Sequence, residues 1–348
     1  MSGYSKPEAG ATALRLHLNE NTDGCSPHAL AAVRALSATD LARYPEYGGA
    51  IAAVAQTFAL APESILLTNG LDEGILAAAA AAFRLRDGCV PEAVGVTPAF
   101  DMYETVVDGL GGRMRLVALG PDFRFSASAI ACAVSAATRI VFVANPHNPS
   151  GAVVSRRAIL ELAIRIAPVS LFVDEAYADF AGESILDERT LLAYPNVMVG
   201  RTFAKSHGLA GLRIGVLAAA PATLAPVRKV VPPYSVNAAA AAALPAALED
   251  GAHRERYLRE SEASRQLLSE ACARWGWRTY PSSANFVLVD AGREAARLVA
   301  ALAAHGIAIR DRSGEPGCSG CVRITAGTTD ATRRVLAAME DACRAWRV

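Results

Sequence analysis

The sequence predicts an α/β protein with a mostly parallel central sheet sandwiched by helices and a smaller α+β domain. Short apolar runs alternate with alanine-rich helical stretches over the first two thirds, and these runs are apolar throughout. Strands of that kind are buried on both faces, as in parallel sheets with helical crossovers. The pattern changes after Pro232 and Pro233, and 348 residues exceed the usual size of one core.

The strands of the central sheet are predicted from short apolar runs bounded by turn residues. These runs cover residues 65–68, 93–97, 113–117, 140–144, 169–173, 197–200 and 214–217. Helices are predicted between them, where alanine and other strong helix formers predominate, at residues 72–83, 102–110, 156–166 and 222–230. Ligands bind such sheets beyond the carboxyl ends of the strands, so the loops that follow these strands are the expected site.

The last third predicts a second, α+β unit. A helical tract, broken near Gly251, is predicted at residues 237–275. Three strands follow at residues 285–289, 307–310 and 321–325, and a closing helix extends to about Trp346. An N-terminal arm is expected to complete this unit. We therefore expect three parts, at residues 1–40 for the arm, 41–235 for the large domain, and 236–348 for a linking helix with the small domain.

Composition and charge limit the kinds of partner. The formal net charge is zero and no basic run occurs, so we expect neither nucleic acid nor an anionic membrane as a partner. Apolar runs such as residues 75–83 are far shorter than the roughly 20 residues of a membrane helix, and the first residues lack the apolar segment of a secretory signal. Seven scattered cysteines indicate reduced thiols. We expect a soluble, cytoplasmic protein.

Cys318 and Cys321 have the spacing of half a zinc site. No second cysteine or histidine pair lies near them in the sequence to complete four ligands. We therefore expect no metal, and interpret this segment as a loop that contains two incidental thiols.

Lys205 is the residue most informative about chemistry. Of 34 lysine and arginine residues only three are lysines, and one of them is Lys205, within residues 201–213. A guanidinium stays protonated, whereas a primary amine can lose its proton in a desolvated site and condense with an aldehyde. Lysine here indicates a Schiff base, for which pyridoxal phosphate is the aldehyde to consider; the alternative is an ordinary surface lysine.

Two further loops follow predicted strands. Residues 68–73 join a strand end to a helix start, where free N–H groups and the helix dipole bind phosphate; alternatively, an acid there only caps the helix. The groups concerned are Gly70, Leu71 and Asp72. In residues 144–151, Ala-Asn-Pro-His-Asn-Pro-Ser-Gly, two prolines stiffen a loop that can aim Asn148 at a cofactor's phenolic oxygen, although such a turn is common in any protein.

Asp174 ends a buried apolar strand, where a carboxylate can pair with a pyridine nitrogen and make the ring an electron sink. The alternative is an acid that caps the next helix. Tyr177, three residues later, can donate to the same phenolic oxygen as Asn148. Arg213 lies eight residues after the lysine and has a fork of donors suited to a phosphate, and Thr202 adds a hydroxyl.

Together these loops resemble the fold type I aminotransferases of class I/II and, within them, the histidinol-phosphate aminotransferase family. The likeness extends from residues 18–21, Leu-Asn-Glu-Asn, to residues 323–328, Arg-Ile-Thr-Ala-Gly-Thr. The family's spacing of 26, 31 and 8 residues separates Asn148, Asp174, Lys205 and Arg213. The resemblance implies pyridoxal 5'-phosphate as cofactor and transfer of an amino group between a small-molecule donor and 2-oxoglutarate. It implies that the catalytic residues are Lys205, Asp174 and Tyr177.

The resemblance assigns further roles. Phe100 would stack on the cofactor ring, and Tyr44 would reach the cofactor phosphate of a second subunit, which implies a homodimer with shared sites. Arg323 would bind the acidic group of the substrate and Arg310 would be a second substrate-phosphate arginine. The N-terminal arm, with Asn21, would shape the substrate pocket and contribute to the dimer.

The sequence departs from the family at several positions and leaves alternatives open. Ala204 precedes the lysine where serine is usual, His147 replaces a common asparagine, and residues 21–25 replace the usual Asn-Pro. An aminotransferase for aromatic or other amino acids fits too, because Arg323 can hold a carboxylate. A threonine-phosphate decarboxylase or carbon–sulfur lyase shares the fold and cofactor residues. A non-catalytic regulator would carry a DNA-binding appendage, for which residues 1–13 leave no room.

Overall fold

The computed structural model describes residues 14–84 and 88–346, whose strands form three sheets. The strands are β1 Leu14–Arg15, β2 Ile65–Thr68, β3 Glu92–Thr97, β4 Arg113–Ala118, β5 Thr138–Ala144, β6 Ser170–Asp174, β7 Val197–Thr202, β8 Gly215–Ala219, β9 Arg278–Thr279, β10 Phe286–Asp290, β11 Ile307–Ala308, β12 Arg310–Asp311 and β13 Cys321–Thr325. The helices are α1 Pro27–Arg34, α2 Ala38–Ala42, α3 Gly48–Phe58, α4 Gly70–Phe83, α5 Met102–Gly109, α6 Ala127–Ala133, α7 Arg156–Ile166, α8 Ala178–Ala181, α9 Glu188–Ala193, α10 Pro221–Arg228, α11 Ala238–Glu249, α12 Gly251–Arg274, α13 Ala295–Ala304 and α14 Thr329–Trp346.

The central sheet has seven strands in the order β2-β8-β7-β6-β5-β3-β4. Only β8 runs antiparallel to its neighbours, so the prediction of a mostly parallel sheet is confirmed. Alternate side chains of one strand enter different cores: Leu171 and Val173 of β6 pack in one apolar cluster and Phe172 packs in another. This two-sided burial follows from the period of two along a strand and explains why the runs are apolar throughout.

Helices cover both faces of the central sheet. The alanine-rich α4 belongs to the same cluster as Phe172, whereas the amphipathic α7 packs in the cluster of Leu171 and Val173. Small alanine side chains let α4 lie close to the sheet, and the side chain of Ser155 caps α7 by accepting a hydrogen bond from the Ala158 N–H. The strand ends between these two layers are therefore held rigidly, as a binding site requires.

A second sheet of four antiparallel strands has the order β12-β13-β10-β9 and packs with α12, α13 and α14. The strand predicted at residues 307–310 is in fact two short strands, because the chain changes partner there: β11 pairs with β1 and β12 pairs with β13. The long helical tract divides at Asp250, whose side chain accepts a hydrogen bond from the His253 N–H and caps α12.

The N-terminal third contains helices that the sequence reading did not predict. α1 and α3 pack against α11, and Ala29, Ala50 and Val54 belong to the same cluster as Leu171. β1 instead joins the second unit through β11. The first 13 residues of the expected arm lie outside the described residues. Within the ranges described, none of the helices is both long and apolar enough to cross a membrane.

Candidate active site

A cavity of about 650 Å³ lies at the carboxyl ends of three neighbouring strands, β5, β6 and β7. Its wall contains the last residue of each of these strands: Ala144, Asp174 and Thr202. Residues of β12 and β13 in the second sheet, together with residues 15–20, line the other side. Among the predicted site residues, those that line the cavity are Leu71, Asp72, Phe100, Asn148, Asp174, Tyr177, Thr202, Lys205, Arg213, Arg310 and Arg323.

Lys205 follows β7 and presents its amine to the cavity. Its Nζ donates a hydrogen bond of 2.9 Å to the carbonyl oxygen of Leu18 and lies 5.9 Å from the centre of the Tyr177 ring. The amine is therefore held at the cavity wall by the N-terminal segment. A carbonyl partner is neutral, so it orients the amine without adding a counter-charge.

Asp174 is buried at the base of the cavity. Its Oδ1 accepts a hydrogen bond of 3.0 Å from the Ala176 N–H, and its Oδ2 accepts one of 2.6 Å from the Tyr103 hydroxyl. Burial raises the pKa of Asp174 to about 6, although both hydrogen bonds oppose the shift. Burial, and then the charge of Asp174, raise the pKa of Tyr103 well above its ordinary value, so the phenol keeps its proton and is the donor.

Tyr103 is a site residue that the sequence reading missed. It follows Phe100 by three residues, a spacing that places both side chains on one side of a helical turn, and the two rings meet edge to face at 5.8 Å. The Tyr103 ring also stacks on Phe142 of β5, at 4.9 Å and 6°. The helical spacing is the only signal for this role in the sequence, because the contact with Asp174 depends on how α5 packs against the central sheet.

The N-terminal segment orients two predicted cofactor ligands. The hydroxyl of Tyr177 accepts a hydrogen bond of 3.0 Å from Nδ2 of Asn19. Oδ1 of Asn148 accepts one of 2.5 Å from Nη1 of Arg323, whose Nη2 donates at 2.9 Å to the carbonyl oxygen of His17. The resemblance found in the sequence covers only residues 18–21 of this segment. The part of the segment that lines the cavity is longer and comprises Arg15, His17, Leu18, Asn19 and Glu20.

The start of α4 and Arg213 form the cationic end of the cavity. The Asn69 side chain makes no capping hydrogen bond, so the first N–H groups of α4 have no side-chain cap. Gly70 has a φ of +76°, and a Cβ atom at this position would lie 2.5 Å from Nη2 of Arg213. The backbone conformation favours glycine, and an added Cβ atom would displace the guanidinium, which is the mobile end of a half-exposed side chain. Asp72 does not cap the helix but accepts a hydrogen bond of 2.9 Å from Nη2 of Arg213.

These groups fit pyridoxal 5'-phosphate. The uncapped start of α4 beside Arg213 suits the phosphate group of the cofactor. The buried Asp174 suits its protonated ring nitrogen, and the amine of Lys205 suits its aldehyde. Ala204 lines the cavity without a hydroxyl. The neighbouring Thr202 accepts a hydrogen bond of 3.2 Å from the Ala204 N–H, a role that leaves its own hydroxyl proton available to a phosphate oxygen.

Three predicted site residues lie outside the cavity wall. Gly70 lies behind Arg213, as described above. Asn21 donates a hydrogen bond of 3.0 Å to the Ser206 carbonyl oxygen, which fastens the N-terminal segment to the loop of Lys205. Tyr44 is 75% exposed and stacks on Tyr234 with ring centres 4.3 Å apart.

His147 is buried and links two loops through hydrogen bonds. Its Nε2 lies 2.9 Å from the Pro98 carbonyl oxygen and its Nδ1 lies 2.8 Å from the Ser150 hydroxyl. Burial lowers the pKa of His147 to about 4, so the ring is neutral, donates to the carbonyl through Nε2 and accepts through Nδ1. It thereby holds the loop of Phe100 against the loop of Asn148. Cys318 and Cys321 are buried, and residues 14–84 and 88–346 contain no cluster of side chains suited to a metal ion.

Comparisons with known proteins agree with this geometry. Residues 11–339 match the family model for aminotransferase class I and II. The chain is 36% identical over 335 residues to a histidinol-phosphate aminotransferase of Symbiobacterium thermophilum, covering 94% of this chain and 90% of that protein. It is 36% identical over 347 residues to one of Roseobacter denitrificans, covering 97% and 93% respectively.

A solved structure is similar over almost the whole chain. The histidinol-phosphate aminotransferase of Sinorhizobium meliloti in complex with pyridoxal 5'-phosphate superposes with a TM-score of 0.86 and 29% identity, covering 96% of this chain and 92% of that one. The family match, the curated relatives and the shared architecture all agree. The chain therefore belongs to the class I and II aminotransferases, pyridoxal-phosphate-dependent enzymes of fold type I.

Proposed function

We propose that this aminotransferase takes its amino group from histidinol phosphate and passes it to 2-oxoglutarate, with pyridoxal 5'-phosphate joined to Lys205. The observation that carries the proposal is one cavity whose wall contains an amine, a buried carboxylate and arginines from two different places in the fold. The arginine beside the start of α4 suits the cofactor phosphate. Those on the second sheet suit an acidic substrate group. The names of the relatives support histidinol phosphate as the donor.

The residues at the centre of the cavity have separate roles. When bound, the cofactor supplies an electron sink for the charge that develops on the substrate carbon. Asp174 would accept a hydrogen bond from the protonated ring nitrogen and stabilise the proton there. Asn148 and Tyr177 would bind the phenolic oxygen, and Phe100 would cover a ring face. Lys205 would hold the cofactor through its amine, and the same Nζ, when free, would be the general base that accepts the proton from the substrate carbon.

The residues around the start of α4 and Arg213 would bind the cofactor phosphate and would take no part in proton transfer. Gly70, Leu71 and Asp72 supply the start of α4, Thr202 supplies a hydroxyl, and Arg213 supplies a guanidinium. Asp72 pairs with Arg213 and fixes its orientation. At the other end Arg323 binds the acidic group of the substrate, Arg310 assists it, and Asn21 secures the segment that borders this group.

A homodimer with shared sites is part of the proposal. Tyr44 would bind the cofactor phosphate of the other subunit, and the support is an aromatic pair, Tyr44 and Tyr234, of which both members are exposed. We place the enzyme in the cytoplasm, where its seven cysteines would stay reduced. We also keep the division at residues 40 and 235, with an arm, a large domain and a small domain.

Separate half-reactions test this function. The cofactor-loaded protein is mixed with histidinol phosphate alone, and the absorption of the bound chromophore is followed until it reaches the amine form. 2-Oxoglutarate is then added, and we expect recovery of the original spectrum with one glutamate formed per site. Release of carbon dioxide or sulfide without glutamate would instead identify a decarboxylase or a lyase. Turnover with aromatic amino acids but not with histidinol phosphate would show that the donor is an aromatic amino acid.

A further inference from the structure

Three arginines lie on one face of the second sheet and line the same end of the cavity. Arg310 of β12 stands opposite Arg323 of β13 in the antiparallel register. Arg312 lies two residues beyond Arg310, and its N–H donates 2.9 Å to the Cys321 carbonyl oxygen, so the pairing continues to this position. Side chains two apart on a strand share a face, and all three guanidinium groups reach the cavity wall.

This arrangement is unfavourable without an anion. Like charges directly opposite each other destabilise a sheet. Burial, with smaller contributions from the charges of Arg312 and Arg310, lowers the pKa of Arg323 to about 10. Arg310 has Asp101 at 3.9 Å and Arg312 has Glu315 at 2.5 Å, whereas no carboxylate of the described residues forms an ion pair with Arg323. The group of three therefore keeps an uncompensated positive charge that faces the cavity.

Arg312 has a buried donor without a hydrogen-bond partner in the described part of the chain. It is only 4% exposed, yet its Nε has no hydrogen-bond partner among the described residues, and its Nη2 reaches the Ala99 carbonyl oxygen only at 3.4 Å. A buried guanidinium N–H without a partner is costly. Glu315 pairs with Nη2 at 2.5 Å and holds the side chain in place, so the unpartnered Nε is the donor that remains for a ligand.

We propose that Arg312 is a specificity-determining residue that, with Arg310 and Arg323, makes this end of the cavity select a phosphate monoester over a carboxylate. One arginine satisfies the two oxygens of a carboxylate through a bidentate pair. A phosphate monoester has three terminal oxygens and up to two negative charges, so it can use a third guanidinium. The inference rests on the proposed function only for the identity of the phosphorylated donor.

The test measures anion binding to the cofactor-loaded enzyme by calorimetry, with phenyl phosphate and benzoate as matched aromatic probes. Arg312→Gln should weaken phenyl phosphate binding roughly 10- to 100-fold, as expected for a lost charged hydrogen bond, and benzoate binding by less than about threefold. The control is Arg344→Gln, which also removes an arginine paired with a glutamate on the same chain segment, but at an exposed position of α14. It should change neither affinity.

Equal weakening of both probes, no weakening of either, or failure of the unaltered enzyme to bind phenyl phosphate would overturn the inference. Arg312→Lys is a second variant that keeps the test decisive if Arg312→Gln does not fold. It keeps the positive charge, and its affinity for phenyl phosphate should fall by an intermediate factor. Steady-state assays with histidinol phosphate separate the two proposals. No turnover together with Arg312-dependent phenyl phosphate binding rejects only the donor. Normal turnover with an unchanged KM in Arg312→Gln rejects only the role of Arg312.

Discussion

The hydroxyl of Tyr103 donates a hydrogen bond of 2.6 Å to Oδ2 of Asp174. Both groups are buried, and the Tyr103 ring is fixed between Phe100 and Phe142. The donor favours the ionised over the protonated form of the carboxylate, against the effect of burial. Tyr103 is thus placed to keep Asp174 anionic, which is the form that a protonated ring nitrogen requires.

Tyr103→Phe should keep the stacked ring and remove only the donor. We expect kcat to fall roughly tenfold, which corresponds to about 1.4 kcal/mol, with a smaller change in KM. The absorption of the bound cofactor should also titrate at a different pH, since Asp174 becomes more basic. Tyr280→Phe, at a tyrosine outside this cavity, is the control. An unchanged titration and an unchanged kcat in Tyr103→Phe would show that the hydrogen bond has no effect on the ring.

Lys205→Ala should abolish turnover, because it removes the amine proposed both to hold the cofactor and to move the proton. Lys205→Arg should be inactive as well, since a guanidinium does not condense with an aldehyde. Lys229→Ala removes an exposed lysine and should retain full activity. Steady-state assays and borohydride reduction followed by peptide mapping provide the measurements. Appreciable turnover by Lys205→Ala, or reductive labelling of a different lysine, would refute this assignment.

Gly70→Ala should weaken cofactor binding roughly tenfold, because the added methyl group would lie 2.5 Å from Nη2 of Arg213 and displace the guanidinium that is proposed to bind the phosphate. Gly276→Ala is a matched control: its φ of +80° imposes the same backbone strain, of about 1 kcal/mol, but no atom lies within 4 Å of the added Cβ. Both variants should lose similar stability in urea, while only Gly70→Ala loses affinity for pyridoxal 5'-phosphate. Equal affinities in the two variants would contradict a role for the Gly70–Arg213 contact.

Asp174→Asn should stabilise the cofactor-free protein near pH 7 while removing most activity. The folded pKa of Asp174 is raised from 3.8 to about 6, so its ionisation opposes folding. This opposition is absent below pH 3.8, grows as the pH rises towards 6 and is complete above it, at roughly 1 to 3 kcal/mol. Urea unfolding of both proteins between pH 4 and 8 measures the difference. A gap that does not widen with pH, or full activity of Asp174→Asn, would disprove this account.

Much of the site follows from sequence because it depends on local rules. Asp174 was predicted because an acid that ends a buried apolar strand must lie at the sheet edge where ligands bind. Lys205 was predicted because its chemistry differs from that of the surrounding arginines. Tyr103 and Arg312 were not predicted, because their roles arise from the packing of α5 against the central sheet and from the register of β12 and β13. The division of residues 307–310 into two strands likewise depends on which partners the chain meets.

The segment at residues 17–21 reaches both ends of the reaction centre. Its backbone carbonyls accept from Lys205 and Arg323, and its side chains bind Tyr177 and the Ser206 carbonyl oxygen. A shift of this single stretch would therefore alter reactivity and substrate affinity together, whichever amino acid is changed. Engineers seeking new donors for this enzyme should vary the arginine-bearing sheet first and leave this stretch intact.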